Sequence, residues 1–259
     1  MKIVVCVKYV PDAQADRTFE ADNTTDRVGV DGLLSELDEY AVEEALKLVE
    51  ASEGEVVALT MGPEQASDAV RKALQMGAGS GVHVLDDAIA GSDAPATSLV
   101  LAKAIEKIGG ADLVLTGMAS TDGTMSVVPA MVAERLGLPQ VTFASELGVE
   151  GDAVTIRRDG DASTETITAT LPALVSVTDQ INEPRYPSFK GIMAAKKKPL
   201  ETWSLADLGV DAGEVGQAAA WTTVESFAAR PPREAGKVVA DEGNGGAQLA
   251  EFLVSKKFV

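Results

Sequence analysis

The chain has 259 residues, 46% of them hydrophobic but only 4% aromatic, and 40 acidic against 22 basic residues give a net charge of −18. Such a length carries one large core or two modest domains, and the acidity disfavours nucleic acid and anionic membranes as partners. The lone cysteine, Cys6, and lone histidine, His83, exclude a disulfide framework, a thiolate metal cluster, the usual histidine zinc sites and most catalytic triads.

No window approaches 18 uninterrupted apolar residues, so no membrane span is expected. Met1-Lys2 leads straight into an apolar run without the pattern of a signal sequence, so a soluble protein of a reducing compartment is expected.

Ile3–Val7 is a continuous apolar run, as suits a strand covered on both faces. The Asp-rich stretch from Pro11 to Gly32 reads as a long loop or small hairpin. A helix is expected from Asp38, with acidic residues in its first turn favouring the helix dipole. Val56–Met61 predicts a second buried strand, Gln65–Met76 a helix, Val82–Leu85 a third strand, and Pro95–Ile108 a helix closed by Gly109-Gly110. Asp112–Thr116 predicts a fourth strand and Met125–Leu136 a further helix.

This rhythm means parallel strands joined by right-handed crossovers. Beyond Gly137 the Thr-rich segments Val141–Ser145, Val154–Arg157 and Glu165–Thr170 alternate in polarity, as half-exposed antiparallel strands do, and predict an antiparallel extension of the sheet. Ala173–Val177 reads as a last buried strand. The fold expected is α/β: a mostly parallel twisted sheet, helices on both faces, the antiparallel extension and an irregular C-terminal arm. The boundary is drawn between an α/β domain, 1–200, and an arm, 201–259. Packing on another chain would explain the arm's apolar residues, and packing on its own domain is the default.

In open parallel sheets ligands sit beyond the carboxyl ends of the strands, where strand order reverses. The turn Gly117–Ser126 has the small and hydroxyl residues that let backbone N–H groups approach a phosphate. Met61-Gly62-Pro63 is a second such turn. Neither is a GxGxxG fingerprint or a Walker loop, and no lysine lies within Gly117–Ser126, so a monophosphate fits better than a triphosphate. A plain N-capping loop accounts for the same residue types equally well.

The most unusual text runs from Ile181 to Leu200, with Pro184, Tyr186, Phe189 and the lysine run Lys196–Lys198. In a chain this acidic, a basic, apolar-tipped segment reads as a surface for an acidic partner, and a solvated Lys-rich helix start is the bland alternative. Asn182-Glu183-Pro184-Arg185-Tyr186 followed by Ile192-Met193-Ala194-Ala195-Lys196-Lys197-Lys198 resembles the signature of electron transfer flavoprotein beta subunits. So do Val5–Asp12, Glu39–Ala45, Met61-Gly62-Pro63, Ala73–Ala78 and Pro139–Ser145, in order over roughly residues 1 to 210.

The resemblance implies a non-catalytic electron-transfer subunit on an adenine-nucleotide hydrolase-like fold. It implies an AMP bound by this chain with a structural role, and FAD held mainly by a partner alpha subunit. AMP contacts carried over by position are Cys6 (through its backbone), Ser35, Leu37, Asp38, Met61 and the segment Asp122, Gly123, Thr124, Met125, Ser126, Val127, Val128 and Met131. The 182–198 segment corresponds to the family's recognition loop, with Tyr186, Phe189, Ile192, Met193, Lys196 and Lys197 facing partner proteins and Phe189 in place of the usual apolar anchor.

Acyl-CoA-type dehydrogenases as donors and a quinone oxidoreductase as acceptor, both transient, follow from the same likeness. So does a cytoplasmic location in a bacterium, or the mitochondrial matrix in a eukaryote. Ser35-Glu36-Leu37 stands where many relatives have Asn-Pro-Phe, and Ala13 where some carry an aromatic near the flavin, so direct contact of this chain with FAD is not implied. Val127-Val128, where electron-bifurcating forms carry polar residues, favours AMP over a second FAD.

A rival reading is a stand-alone nucleotide sensor of the universal-stress-protein type, which has no use for the 182–198 loop. An ATP-pyrophosphatase would need a Ser-Gly-Gly-x-Asp-Ser loop that is absent. Cys6 and His83 read as packed residues, Asp38-Glu39 as helix-start chemistry, and Trp203 and Trp221 as packing residues of the arm.

Overall fold

The computed structural model describes residues 1–233, 235–236 and 238–259; positions 234 and 237, within the expected arm, lie outside the described residues. The first half runs β1 (Lys2–Cys6), β2 (Tyr9–Pro11), β3 (Gly32–Leu34), α1 (Glu36–Ala51), β4 (Glu55–Met61), α2 (Ser67–Met76), β5 (Ser80–Val84), α3 (Ala94–Ile108), β6 (Leu113–Gly117) and α4 (Val128–Leu136). The second runs β7 (Gln140–Ala144), β8 (Glu146–Glu150), β9 (Ala153–Asp159), β10 (Thr164–Thr170), β11 (Ala173–Val177), α5 (Phe189–Ala195), β12 (Leu200–Trp203), α6 (Leu205–Leu208), α7 (Gly216–Ala219) and α8 (Gly245–Ser255).

Seven strands form the main sheet in the order β12-β5-β4-β1-β6-β11-β7. Every pairing in it is parallel. Side chains alternate between two apolar layers, as strand pleating requires. Ile3, Val5 and Leu115 pack with Ala41 and Val42 of α1 and Val70 of α2. Val4, Leu59 and Val114 pack with Val100 and Ile105 of α3 and Val132 of α4 on the opposite face. Each such Val or Leu, taken from water, contributes about 1.5–3 kcal/mol.

Helix ends follow local chemistry. The Asp93 side chain accepts the Ala96 N–H at the start of α3, and Gly109, at φ 96°, ends it in the left-handed conformation.

The Asp-rich stretch is a loop whose two ends pair as the β2–β3 hairpin. The antiparallel strands are present but form a separate three-stranded sheet, β10-β9-β8. Val141–Ser145 is not one of them: β7 joins the main sheet parallel to β11, Val175 opposite Val141. The physical reason is burial. Val141 and Ala144 are buried, and Phe143, at φ 62°, breaks the alternation and donates its N–H to Ser176 Oγ. Leu200–Trp203 adds an edge strand to the main sheet beside β5.

Met1–Glu225 forms one compact unit and Ser226–Val259 another. In the latter, α8 presents Leu249, Phe252 and Val254 to solvent. Trp203 packs beneath Lys107, whose Nζ lies 5.0 Å from the ring centroid, whereas the Trp221 ring is exposed and so does not pack as expected. Among the described residues, no helix is long and apolar enough to cross a membrane, and no group of three metal-binding side chains is assembled.

Candidate functional site

Strand order reverses beside β1, which has β4 on one side and β6 on the other. The sheet opens there at its carboxyl end into a cavity of about 860 Å³, within the range of roughly 300–1,000 Å³ usual for small-molecule sites. Its walls include Cys6 after β1, Met61 at the end of β4, Thr116 of β6 and Ser126 before α4. Asn23, from the Asp-rich loop, and Val224 close another side, and the Asn23 amide donates to the Val224 carbonyl at 3.0 Å.

Asp38 bridges the two strands that diverge at this point. Its buried carboxylate accepts the Lys8 N–H at 2.8 Å and the Gly117 N–H at 3.3 Å. Glycine is required opposite it, because a Cβ at position 117 would lie 2.6 Å from Asp38 Oδ1. Burial pushes the Asp38 carboxyl up to about 7, against the two N–H groups that favour its charged form. Ser35, fully buried, accepts the Thr121 N–H and ties the start of α1 to the loop after β6. Burial, and then the nearby Asp38, push the Cys6 thiol up to about 12, so it stays protonated in the cavity wall.

Asp122 is the charged hub of the loop after β6. Its side chain is 3% exposed and pairs with Lys8 at 2.9 Å and with the Arg27 guanidinium. Burial raises its pKa, but Lys8 and Arg27 outweigh that and hold it well below the usual carboxylate range. Arg17 adds a hydrogen bond to the Thr121 carbonyl. Arg27 and Arg17 thus fasten the Asp-rich loop, and Lys8 the turn after β1, to the loop after β6.

The helix expected from Met125 begins at Val128 instead, because Thr124 (φ 50°) and Ser126 (φ 58°) adopt the left-handed conformation, which interrupts a helix. Such conformations cost non-glycine residues about 1–3 kcal/mol each and persist where surroundings over-determine them. Left-handed Ser126 followed by right-handed Val127 turns successive N–H groups the same way, the geometry of a backbone anion nest. Among the described residues the N–H groups of Met125, Ser126 and Val127 have no acceptor. The buried Thr116 hydroxyl, in the cavity wall, is also unpartnered.

Of the residues carried over for AMP, Cys6, Asp38, Met61, Gly123, Met125, Ser126 and Val128 wall the cavity. Ser35, Leu37, Asp122, Thr124, Val127 and Met131 do not; Ser35 and Asp122 act from behind it as anchors. Sequence reasoning missed Lys8, Arg27 and Thr116. A lysine just past an apolar strand was a usable signal for Lys8; nothing marked Arg27 among the loop's charges.

The second surface is the 182–198 segment. Asn182 donates to the Tyr40 carbonyl and to Glu44, and Arg185 grips Glu43 and Glu50 of α1. Ser188 caps α5 by accepting the Gly191 N–H, and Lys198 donates to the Leu74 carbonyl. Above this polar mount Tyr186 is 94% and Phe189 80% exposed, with Ile192 and Met193 beside them, and Lys196 and Lys197 are also exposed.

Comparison with known proteins agrees in extent and kind. Residues 22–208 match the electron transfer flavoprotein domain. The electron transfer flavoprotein subunit beta of Mycobacterium tuberculosis (strain H37Rv) is 48% identical, covering 99% of both chains. That of Megasphaera elsdenii is 33% identical over the full length of both. The caffeyl-CoA reductase-Etf complex subunit CarD of Acetobacterium woodii is 35% identical over 99% of this chain and 97% of its own. With likeness running from end to end, the chain belongs to the electron transfer flavoprotein beta-subunit family.

Proposed function

We propose that this chain is the AMP-binding half of a heterodimeric electron transfer flavoprotein, paired with an alpha subunit that holds most of the FAD. Family membership carries the electron-transfer role. When bound, the flavin supplies the electron-carrying chemistry, and the protein positions it. Electrons would arrive from acyl-CoA-type dehydrogenases and leave through a quinone oxidoreductase, in the cytoplasm of a bacterium.

The observation that carries the AMP reading is the run of unpaired N–H groups at Met125–Val127, two of whose residues wall the cavity. The nest and the start of α4 offer partial positive charge suited to one phosphate. The nearby cations Lys8 and Arg27 are committed to Asp122, so a polyphosphate would lack compensating charge. Thr116 offers its free hydroxyl to the nucleoside. Asp38 ties the two strand ends together and Cys6 lines the cavity. A ligand bound only by the native state stabilises by mass action, about 2.7 kcal/mol at a hundred times its dissociation constant.

The 182–198 segment would dock the dehydrogenases, with Phe189 as the apolar anchor and the lysines meeting acidic groups at the rim. Co-expression with an alpha subunit, followed by measuring flavin and AMP released per heterodimer, tests the whole reading. One of each is expected. Two flavins would move the assignment to electron bifurcation, and failure to form a complex would overturn it.

A further inference from the structure

The docking segment stands on a polar mount, and one residue, Arg185, spans it. Arg185 donates from its backbone N–H to Glu43 at 3.1 Å and from Nε to the same carboxylate at 2.7 Å. Its Nη2 reaches both Glu43 and Glu50, each at 3.0 Å, and Nη1 adds a second bond to Glu50. Glu43 is buried, with its side chain 8% exposed, so this carboxylate requires a cationic partner. A planar guanidinium offers paired N–H donors to both carboxylates at once, a fixed geometry that a lysine ammonium lacks.

Arg185 sits immediately before Tyr186 and four residues before Phe189. Downstream, Gly191 presses against α2, where a Cβ would lie 2.5 Å from the Gln75 carbonyl oxygen. The apolar side chains at the tip thus project from a segment pinned on both sides.

We propose that Arg185 is a positioning residue for partner docking: by bridging Glu43 and Glu50 it holds Tyr186, Phe189, Ile192 and Met193 in their binding arrangement before a dehydrogenase arrives. This rests on the docking role of the segment. A preformed tip spares the encounter the ordering of its side chains, which otherwise weakens binding. α1 thereby has two functions, with its start at the nucleotide cavity through Asp38 and its later turns beneath the docking segment through Glu43 and Glu50.

The test uses the purified heterodimer and the acyl-CoA-type dehydrogenase that reduces it best, varying heterodimer concentration. Arg185→Ala should raise KM roughly five- to twentyfold, the scale set by ordering a few side chains, while kcat stays within about twofold. Amide hydrogen exchange across 183–195 should speed up in the same variant. Arg185→Lys, which keeps the charge without the bidentate fork, should recover part of the loss. Glu50→Gln removes the exposed half of the bridge and should shift KM in the same direction by less; it decides the matter if Arg185→Ala does not fold.

Phe189→Ala separates the two claims. If it raises KM while the Arg185 and Glu50 variants leave both KM and exchange unchanged, the positioning role is overturned and docking stands. If Phe189→Ala leaves KM unchanged, the docking reading falls, and the inference with it.

Discussion

The cavity proposed to hold AMP and the 182–198 segment proposed to dock partners are built in opposite ways from the same kinds of residue. At the cavity, Lys8 and Arg27 of the wall are neutralised by the buried Asp122 behind them, so the groups left unpaired are strained backbone and the Thr116 hydroxyl. At the docking segment the charges form the base, and apolar side chains stand in water above it. A permanent ligand can be held by groups that do not move, whereas a transient partner needs exposed apolar area that a monomer ordinarily hides. Damage at the first region should therefore appear as lost stability, and damage at the second as lost encounter.

Asp122→Ala should break that division most forcibly. It strands two cations around a nearly buried position, and removing one partner of a buried pair costs about 3–5 kcal/mol. Because Lys8 and Arg27 are partly exposed, the lower end is expected, read as a fall in urea midpoint without change in slope. An unchanged midpoint would show that the hub is dispensable.

Phe189→Ala should do the reverse. With the ring 80% exposed, stability should stay within about 0.5 kcal/mol. Docking should weaken by about 2 kcal/mol, the scale of an interface anchor, seen as a higher KM for the dehydrogenase. A drop in stability of the same size would erase the contrast.

The two carboxylates of the cavity should separate by pH. Asp38 is raised above its ordinary 3.8, so its contribution is fully present below about pH 4 and is lost as pH rises towards 7. Asp122 is depressed, so its contribution is present above its ordinary 3.8 and is lost only on further acidification. Unfolding free energy measured from pH 4 to 8 should decline until about pH 7 and level off above it. Asp38→Asn should flatten the decline, and a decline that persists in this variant would assign it to other groups.

The smallest effect is expected from Thr124→Gly. Glycine adopts a positive φ at little cost, so the AMP-free protein should gain up to about 1 kcal/mol. AMP should dissociate faster, because the loop that presents the N–H groups becomes looser. Slower dissociation would mean that the strain serves no binding purpose.

Much of the frame was legible in the residues. Continuous apolar runs such as Ile3–Val7 and Val56–Met61 suit strands covered on both faces, and the helical spacing between them points to parallel crossovers. The text from Asn182 to Lys198 was equally distinctive, because its basic and apolar residues run against the composition of the rest. Direction in the second half was not legible: Val141–Ala144 alternates like a half-exposed strand, yet lies parallel at the sheet edge with Phe143 at positive φ.

Nor was the start of α4 legible, since left-handed backbone at Thr124 and Ser126 contradicts the local preferences of both residues. Periodicity and composition, being local, determined which segments are strands, which are helices and which loop is exceptional. Tertiary structure alone decided that Arg27 meets Asp122 across 95 residues and that Arg185 meets Glu43 across 142. A charge's partner is set by which strand ends the sheet order brings together, and no spacing along the chain encodes that distance.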